Sequence, residues 1–464
     1  MQEPERNRGI ASERAVVVRV VLGESPLDDD PFDEIRGLAK TAGASVVGSL
    51  SQNRARPDVA TYLGSGKVEE LKQLAKSQHA DVVLFDCNLS PGQGRNLEKQ
   101  LGLKVLDRTE LILDIFASNA QTYEARLAVE LAQMEYSLPR LKQMWSHLSR
   151  IKMGIGMRGP GEKQLETDRR LVERRIHELR SELRQVELRR ERQVASRREQ
   201  MTVSLVGYTN AGKSTLMNGL TGAGVLAEDK LFATLDTRTR RWQLPNWGPV
   251  LLSDTVGFIR DLPHGLIASF KATLEESRQA DLLLHVADAS NPSVARQIES
   301  VFSVLGELGI EAKQALLVLN KIDHPRAAPF VEGMLRRYPN AIPISARSGE
   351  GFERLAHAAS DALSRTFVDV EVETSVANGK LIAFLQGHSE VLSMRYVDDR
   401  VVVHCRIPER FLGRFSGDDT VLRRKSSRRD TSPGTDAPRV SDTGSGSSPL
   451  AEILPPPSAL PRGA

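Results

Sequence analysis

The sequence predicts an α/β protein of about three folded units. Buried-strand runs at 16–22, 44–48 and 80–85 alternate with helical patterns, the arrangement of a parallel sheet covered by helices. The apolar run 203–206 passes through Gly207-Tyr208-Thr209-Asn210-Ala211-Gly212-Lys213-Ser214 into a helical pattern at Leu216, Met217 and Leu220. This is the strand, glycine loop and helix of a phosphate-binding loop. Between these units, residues 120–200 carry two apolar seams whose spacings alternate between four and three, which predicts a pair of packed helices.

The first fourteen residues are polar and are expected to be disordered, and the N-terminal α/β unit is expected over 15–118. Two of its segments invite a functional reading. The run 62–67 (Tyr-Leu-Gly-Ser-Gly-Lys) opens a helix and could hold an anion, but it lacks the full phosphate-loop spacing, so a second nucleotide site is not the favoured reading. The run 88–94 reads as a loop and helix start, with a polar, glycine-bearing edge also usable against an RNA backbone.

The paired seams lie within an antiparallel hairpin over 119–200, each arm about 30 residues and roughly 45 Å long. Leu127, Leu131, Met134, Leu138, Leu141, Trp145 and Leu148 form the first seam; Val172, Ile176, Leu179, Leu183 and Val186 form the second. Pro139 is expected to kink the first arm by removing one internal hydrogen bond. The tip, 149–162, contains four glycines and a proline and reads as a non-helical connector. Residues 121–200 hold 18 Lys/Arg against 12 Asp/Glu, an excess of six positive charges, where the whole chain has only three. Most of that mixture is a solvated helix face. The tip is different: Arg150, Lys152, Arg158 and Lys163 surround exposed Met153, Ile155 and Met157, and no acid lies between 149 and 161. Lysine and arginine meet phosphates and the aliphatics lie on bases, which suits a narrow RNA cavity.

A nucleotide-binding unit built on the phosphate loop is expected over 201–367, a small α+β unit over 368–415 and a disordered Ser/Pro/Gly-rich tail over 416–464, with a basic cluster at 423–429. Hydrophobic residues make up 40% and charged residues 27%, as in ordinary globular proteins. No apolar run approaches the roughly 18–20 residues of a membrane span, and the N-terminus lacks a signal-peptide core. A cytoplasmic monomer is expected, without stable membrane insertion and without a DNA partner. Cys87 and Cys405 have no CxxC or Cys/His companions and read as core residues, and His404 is no ligand.

The nucleotide chemistry follows from four segments in order. Gly207 and Gly212 bend the backbone so that its N–H groups face the β-phosphate, Lys213 reaches the β- and γ-phosphates, and the Ser214 hydroxyl takes a place on Mg²⁺. Asp254-Thr255-Val256-Gly257 ends an apolar strand. Asn320-Lys321-Ile322-Asp323 follows another, and the Asp323 carboxylate accepts from a ring N–H and an exocyclic amine that guanine presents side by side and adenine does not. Ser345-Ala346-Arg347 completes the base site.

At these residues the chain resembles translation-factor-like GTPases, and more narrowly the HflX family. The narrow resemblance rests on Phe232-Ala233-Thr234-Leu235-Asp236, on the run 254–264 (Asp-Thr-Val-Gly-Phe-Ile-Arg-Asp-Leu-Pro-His) and on the long Arg/Glu helix before the GTPase unit, and it covers about residues 15–410. It implies a hairpin that packs on the preceding domain and is inserted toward the peptidyl transferase region of the large ribosomal subunit, with that subunit and its rRNA as partners. In the first switch Thr234 is expected on Mg²⁺ when the γ-phosphate is present, with Thr237 the runner-up; Asp254 holds Mg²⁺ through water and the Gly257 N–H bonds the γ-phosphate. Lys213, Thr234 and Gly257 are thus the expected catalytic residues, and Ser214 and Thr234 the direct metal ligands. Asn210 matches GTPases in which that asparagine helps bind K⁺, and equally it can brace the loop. Phe258 stands where small signalling GTPases carry the water-orienting glutamine, so intrinsic hydrolysis should be slow and the missing group supplied from elsewhere. The leading expectation is a ribosome-associated GTPase that splits or rescues stalled ribosomes. The alternatives are a GTPase partner of an RNA-modification system and a signalling GTPase whose hairpin binds a protein coiled coil.

Overall fold

A computed structural model describes residues 10–22, 30–141, 160–196, 200–222, 231–232, 237–245, 248–260, 276–310, 315–365, 367–415 and 420–424. The N-terminal unit is a parallel sheet of β1 (Arg14–Leu22), β2 (Ser45–Arg54), β3 (Val82–Phe85) and β4 (Lys104–Leu106), ordered β2-β1-β3-β4. Residues 15–18 and 82–85 are buried on both faces, as parallel strands under helices must be. Helices α1 (Asp33–Thr41) and α4 (Arg108–Asn119) cover one face, and α2 (Ser65–Ser77) and α3 (Pro91–Leu101) the other. α3 begins with Pro91 in its first turn and a reciprocal Ser90–Gln93 capping box, the helix start expected of the 88–94 run.

One sequence expectation is corrected here, and two features had gone unread. Ile10, placed in a disordered leader, is fully buried in the core, and Ser12 N–H donates to Gly43 O; residues 1–9 lie outside the described set. α4 was not anticipated as a separate helix. The second unread feature is a contact between units: the apolar cluster that holds α1 and α4 continues through Val206, Tyr208, Phe232, Val256, Phe258 and Ile259. The N-terminal unit and the nucleotide unit therefore share a core.

The hairpin is formed by α5 (Tyr123–Ser137), a 3₁₀ turn (Leu138–Arg140) at the expected Pro139 kink, and α6 (Pro160–Ser196). Leu127 and Leu131 pack on Ile176, Leu179 and Leu183, with Met134, Leu138 and Val172 alongside, so the two seams do meet. Ion pairs Arg175–Glu130 and Arg180–Glu135 cross between the arms. Pro160–Glu162, expected in the non-helical tip, are the first residues of α6, whose 37 residues make an arm of about 55 Å rather than 45. Trp145, Leu148 and 149–159 lie outside the described residues.

The nucleotide unit is a six-stranded sheet ordered β10-β9-β8-β5-β7-β6, made of β5 (Thr202–Gly207), β6 (Arg238–Leu244), β7 (Gly248–Asp254), β8 (Leu282–Asp288), β9 (Ala315–Asn320) and β10 (Ile342–Pro343). Only the β6–β7 pair is antiparallel. Among the described residues it carries α7 (Lys213–Thr221), α8 (Val294–Glu307), α9 (Ala327–Arg337) and α10 (Phe352–Ser364). The last unit is an antiparallel sheet, β12-β13-β11-β14, with α11 (Gly379–His388) on its apolar face. It comprises β11 (Phe367–Ser375), β12 (Glu390–Val397), β13 (Arg400–Pro408) and β14 (Val421–Arg424). β14 falls inside the stretch expected as a disordered tail and pairs with β11; residues 425–464 lie outside the described set.

Candidate nucleotide site and its junction with the N-terminal unit

The central strand β5 delivers its last residue, Gly207, against β8 so closely that a Cβ there would lie 2.1 Å from Val286 O. The loop then turns back through Asn210 (φ +60°) and Gly212 (φ +90°) into α7. A Cβ on Gly212 would sit 2.3 Å from Asn320 Nδ2. Glycine is required at both places, by close approach and at Gly212 also by left-handed backbone.

Lys213 is buried and its ammonium donates to Gly207 O (3.1 Å) and Tyr208 O (2.9 Å). Burial lowers its pKa to about 8, against a raising effect of Asp254. Ser214 Oγ donates to Asp254 Oδ2 at 2.6 Å. A hydroxyl and a carboxylate side by side are hard oxygen donors that suit Mg²⁺. Thr209 Oγ1 is buried without a hydrogen-bond partner among the described residues, inside a loop built for phosphate oxygens.

Asn320 binds the segments together. Its Nδ2 donates to Ala211 O (2.8 Å) and its Oδ1 accepts from Ala346 N–H (2.9 Å), which joins the phosphate loop to the 345–347 turn. Lys321 (φ +66°) is ion-paired with Asp288 at 2.7 Å. Ser345 Oγ donates to Asp323 Oδ1 (2.7 Å), aligning the carboxylate expected to read guanine, and Ile322 N–H donates to Ile344 O. Arg347 is exposed beside them.

Thr255 and Val256, also expected at the site, turn inward: Thr255 Oγ1 donates to Leu205 O (2.6 Å) and Val256 lies in the shared core. Gly257 packs so tightly that a Cβ would meet Lys213 Nζ and Thr209 at 2.9 Å. Phe258 is buried, with Thr209 N–H donating to its carbonyl (2.7 Å) and its own N–H to Gly207 O (3.0 Å). Its ring therefore fills core and offers nothing to a water. Thr237 Oγ1 donates to Glu276 (3.3 Å). Ala233, Thr234, Leu235 and Asp236 lie outside the described residues.

Sequence reasoning missed the junction. Arg108, 1% exposed, donates to Asp86 Oδ1 (2.6 Å), Glu34 Oε1 (2.8 Å) and Arg260 O (3.1 Å). Arg260, three residues past Gly257, donates to Asp86 Oδ2 (3.1 Å), while its backbone N–H donates to Tyr208 Oη (2.9 Å). Tyr208, inside the phosphate loop, donates its hydroxyl to Glu34 Oε1 at 2.5 Å. Burial pushes the Glu34 carboxyl up, but Arg108 and Arg260 hold it below the ordinary range. The phosphate loop, the second switch and three N-terminal side chains thus share one charged cluster. The first switch is anchored too: Phe232 (φ +56°) meets Phe116 edge-on at 4.5 Å, its carbonyl accepts from Asn119 Nδ2 (3.0 Å), and Leu231 N–H donates to Thr41 Oγ1.

Taken together, the sheet order, the glycine loop, the buried lysine and the Asn320–Asp323 base segment define a P-loop GTPase. Residues 29–117 match the family described as "GTP-binding GTPase N-terminal", 119–197 "GTP-binding GTPase Middle Region", and 202–321 "50S ribosome-binding GTPase". The chain is 47% identical over 392 residues to the GTPase HflX of Magnetococcus marinus (83% of this chain, 90% of that one). It is 47% identical over 357 residues to that of Escherichia coli K12 (76% and 84%). A crystal structure of SsGBP in complex with GDP aligns over 76% of this chain and 99% of that one at 25% identity and a TM-score of 0.44. The chain belongs to the HflX GTPase family, as its motifs led one to expect.

Proposed function

We propose that this GTPase associates with the large ribosomal subunit in a nucleotide-dependent way and separates or rescues stalled ribosomes. The observation that carries the reading is the match of 202–321 to the family described as "50S ribosome-binding GTPase". The basic, glycine-rich sequence at 149–162 supports it, as a stretch suited to RNA. In this reading Lys213 and the Gly257 N–H stabilise charge on the β- and γ-phosphates. Ser214, Asp254 and Thr234 would hold Mg²⁺, which neutralises the phosphates. Asn210, exposed at the loop's left-handed turn, is the candidate for K⁺.

With Phe258 committed to the core, the isolated protein should hydrolyse GTP slowly and large subunits should accelerate it. Cosedimentation of the full chain with ribosomes, run with a non-hydrolysable GTP analogue and with GDP, tests the association. Retention with the analogue alone is expected; equal retention with both nucleotides, or none, contradicts the proposal. Replacing K⁺ by Na⁺ in the hydrolysis assay tests Asn210 separately.

A further inference from the structure

α5 uses two faces at once. Ala125, Val129 and Ala132 pack into the N-terminal core, whereas Leu127, Ala128 and Leu131 pack on α6. Past Ala132 the first arm is hydrogen-bonded to the N-terminal unit through Tyr136 and Arg140, which meet the Asp107 carboxylate and the Leu89 carbonyl. Asp107 Oδ1 caps α4 by accepting Glu110 N–H (2.9 Å). Its Oδ2 accepts from Leu89 N–H (3.2 Å), from the Tyr136 hydroxyl and from Arg140 Nη2 (3.2 Å).

Arg140 is held on every side. Its Nη2 also donates to Leu89 O (2.7 Å), its Nη1 donates to Tyr136 O (3.2 Å), and the guanidinium lies 3.7 Å from the centre of the Tyr136 ring. Asp107 is 3% exposed and Arg140 19%, so the pair is largely withdrawn from water and from salt screening. Burial raises the neighbouring Glu110 carboxyl to about 8, so at neutral pH it is uncharged and does not compete with Asp107 for the guanidinium. Tyr136 and Arg140 bracket Pro139, in the 3₁₀ turn Leu138–Arg140 where proline removes one internal hydrogen bond of the arm.

We propose that Asp107, Tyr136 and Arg140 are positioning residues that fix the direction in which the hairpin leaves the N-terminal unit, independently of the nucleotide. The chemistry explains why a carboxylate is needed: a neutral acceptor would leave a half-buried guanidinium and a half-buried hydroxyl competing for one weaker partner. The functional consequence rests on the proposed ribosomal role, because only a hairpin that must reach a defined place needs a defined direction.

The test separates the two claims. Spin labels introduced at Val59, 92% exposed on the N-terminal unit, and at Leu171, 54% exposed on α6 ahead of Val172, report the angle in the full chain. The unsubstituted side chains should give one narrow distance distribution. Asp107→Asn keeps an oxygen for the α4 cap but turns an amide toward Arg140 and Tyr136; it and Arg140→Ala should at least double the width or move the mean by several ångströms. Arg140→Lys, which keeps the charge but not the fork, should fall between. GTP affinity should stay within twofold in all of them. Should Asp107→Asn not fold, Tyr136→Phe and Arg140→Lys carry the test. Unchanged distributions in the folded variants overturn the proposal. Subunit separation assayed on the same proteins bears on the other claim: failure of the parent protein to separate subunits sinks the ribosomal reading, whereas the distances still judge the clamp.

Discussion

Replacing Asn320 by alanine should damage nucleotide binding although it leaves every phosphate-contacting group in place. Asn320 is 1% exposed and makes two hydrogen bonds, to Ala211 O and from Ala346 N–H, both at buried residues. Truncation leaves a carbonyl and an amide without partners, at about 1–3 kcal/mol each, so the sum is about 2–6 kcal/mol. The free loop can loosen to recover water, and the nucleotide then has to re-form it. The cost therefore appears in affinity rather than in unfolding. At about 1.4 kcal/mol per decade, the lower bound is roughly a 30-fold loss. Fluorescent GTP titration of Asn320→Ala and Asn320→Asp measures it. The aspartate still accepts from Ala346 N–H but turns a buried carboxylate oxygen toward the Ala211 carbonyl, so it should be at least as damaging as alanine. A loss below threefold in the alanine variant, or an aspartate variant that binds like the parent, would refute the bridging role.

Asp323→Asn should weaken GTP and gain xanthosine nucleotide, whose carbonyl replaces the amine; unchanged GTP affinity would sink the guanine assignment. Lys213 in the free protein titrates near 8 because it is buried, and bound phosphates must raise that value, so binding takes up a proton at alkaline pH. GTP affinity should accordingly be flat below pH 7 and fall about tenfold by pH 9, a dependence that Lys213→Arg should abolish. Arg108→Ala takes the buried guanidinium from Asp86 and Glu34 and leaves them the half-exposed Arg260, so it should cost about 1–3 kcal/mol, read as a lowered thermal midpoint; an unmoved midpoint contradicts the charged cluster.

The nucleotide site was legible because its chemistry is local: Gly207–Ser214 and Asn320–Asp323 are contiguous runs, each following a strand that periodicity reveals. The junction was not. Glu34 and Tyr208 are 174 positions apart, as are Asp86 and Arg260, and a glutamate near a helix start reads as a dipole-compensating residue until the fold brings an arginine to it. α4 was hidden for a different reason. Leu111, Ile112, Leu113, Ile115 and Phe116 are all buried, and the polar stripe of Glu110, Asp114 and Ser118 is too narrow and short to stand out beside that apolar run. The four residues of β14, Val-Leu-Arg-Arg, carry a strand signal too short to stand out beside the Ser- and Arg-rich stretch that follows, and only pairing with β11 makes them a strand. In the hairpin the reverse held: Leu127, Leu131, Ile176, Leu179 and Leu183 met because seven-residue spacing survives whatever the arms are attached to.

The most direct test of the central claim is a sucrose-gradient measurement of intact ribosomes incubated with the full chain and a non-hydrolysable GTP analogue, beside the same mixture with GDP and beside a protein in which 152–161 is replaced by a short Gly/Ser linker. The account predicts separated subunits with the analogue only, and intact ribosomes with the linker variant despite unchanged GTP affinity. Separation by the linker variant, or by the GDP-loaded protein, would contradict it.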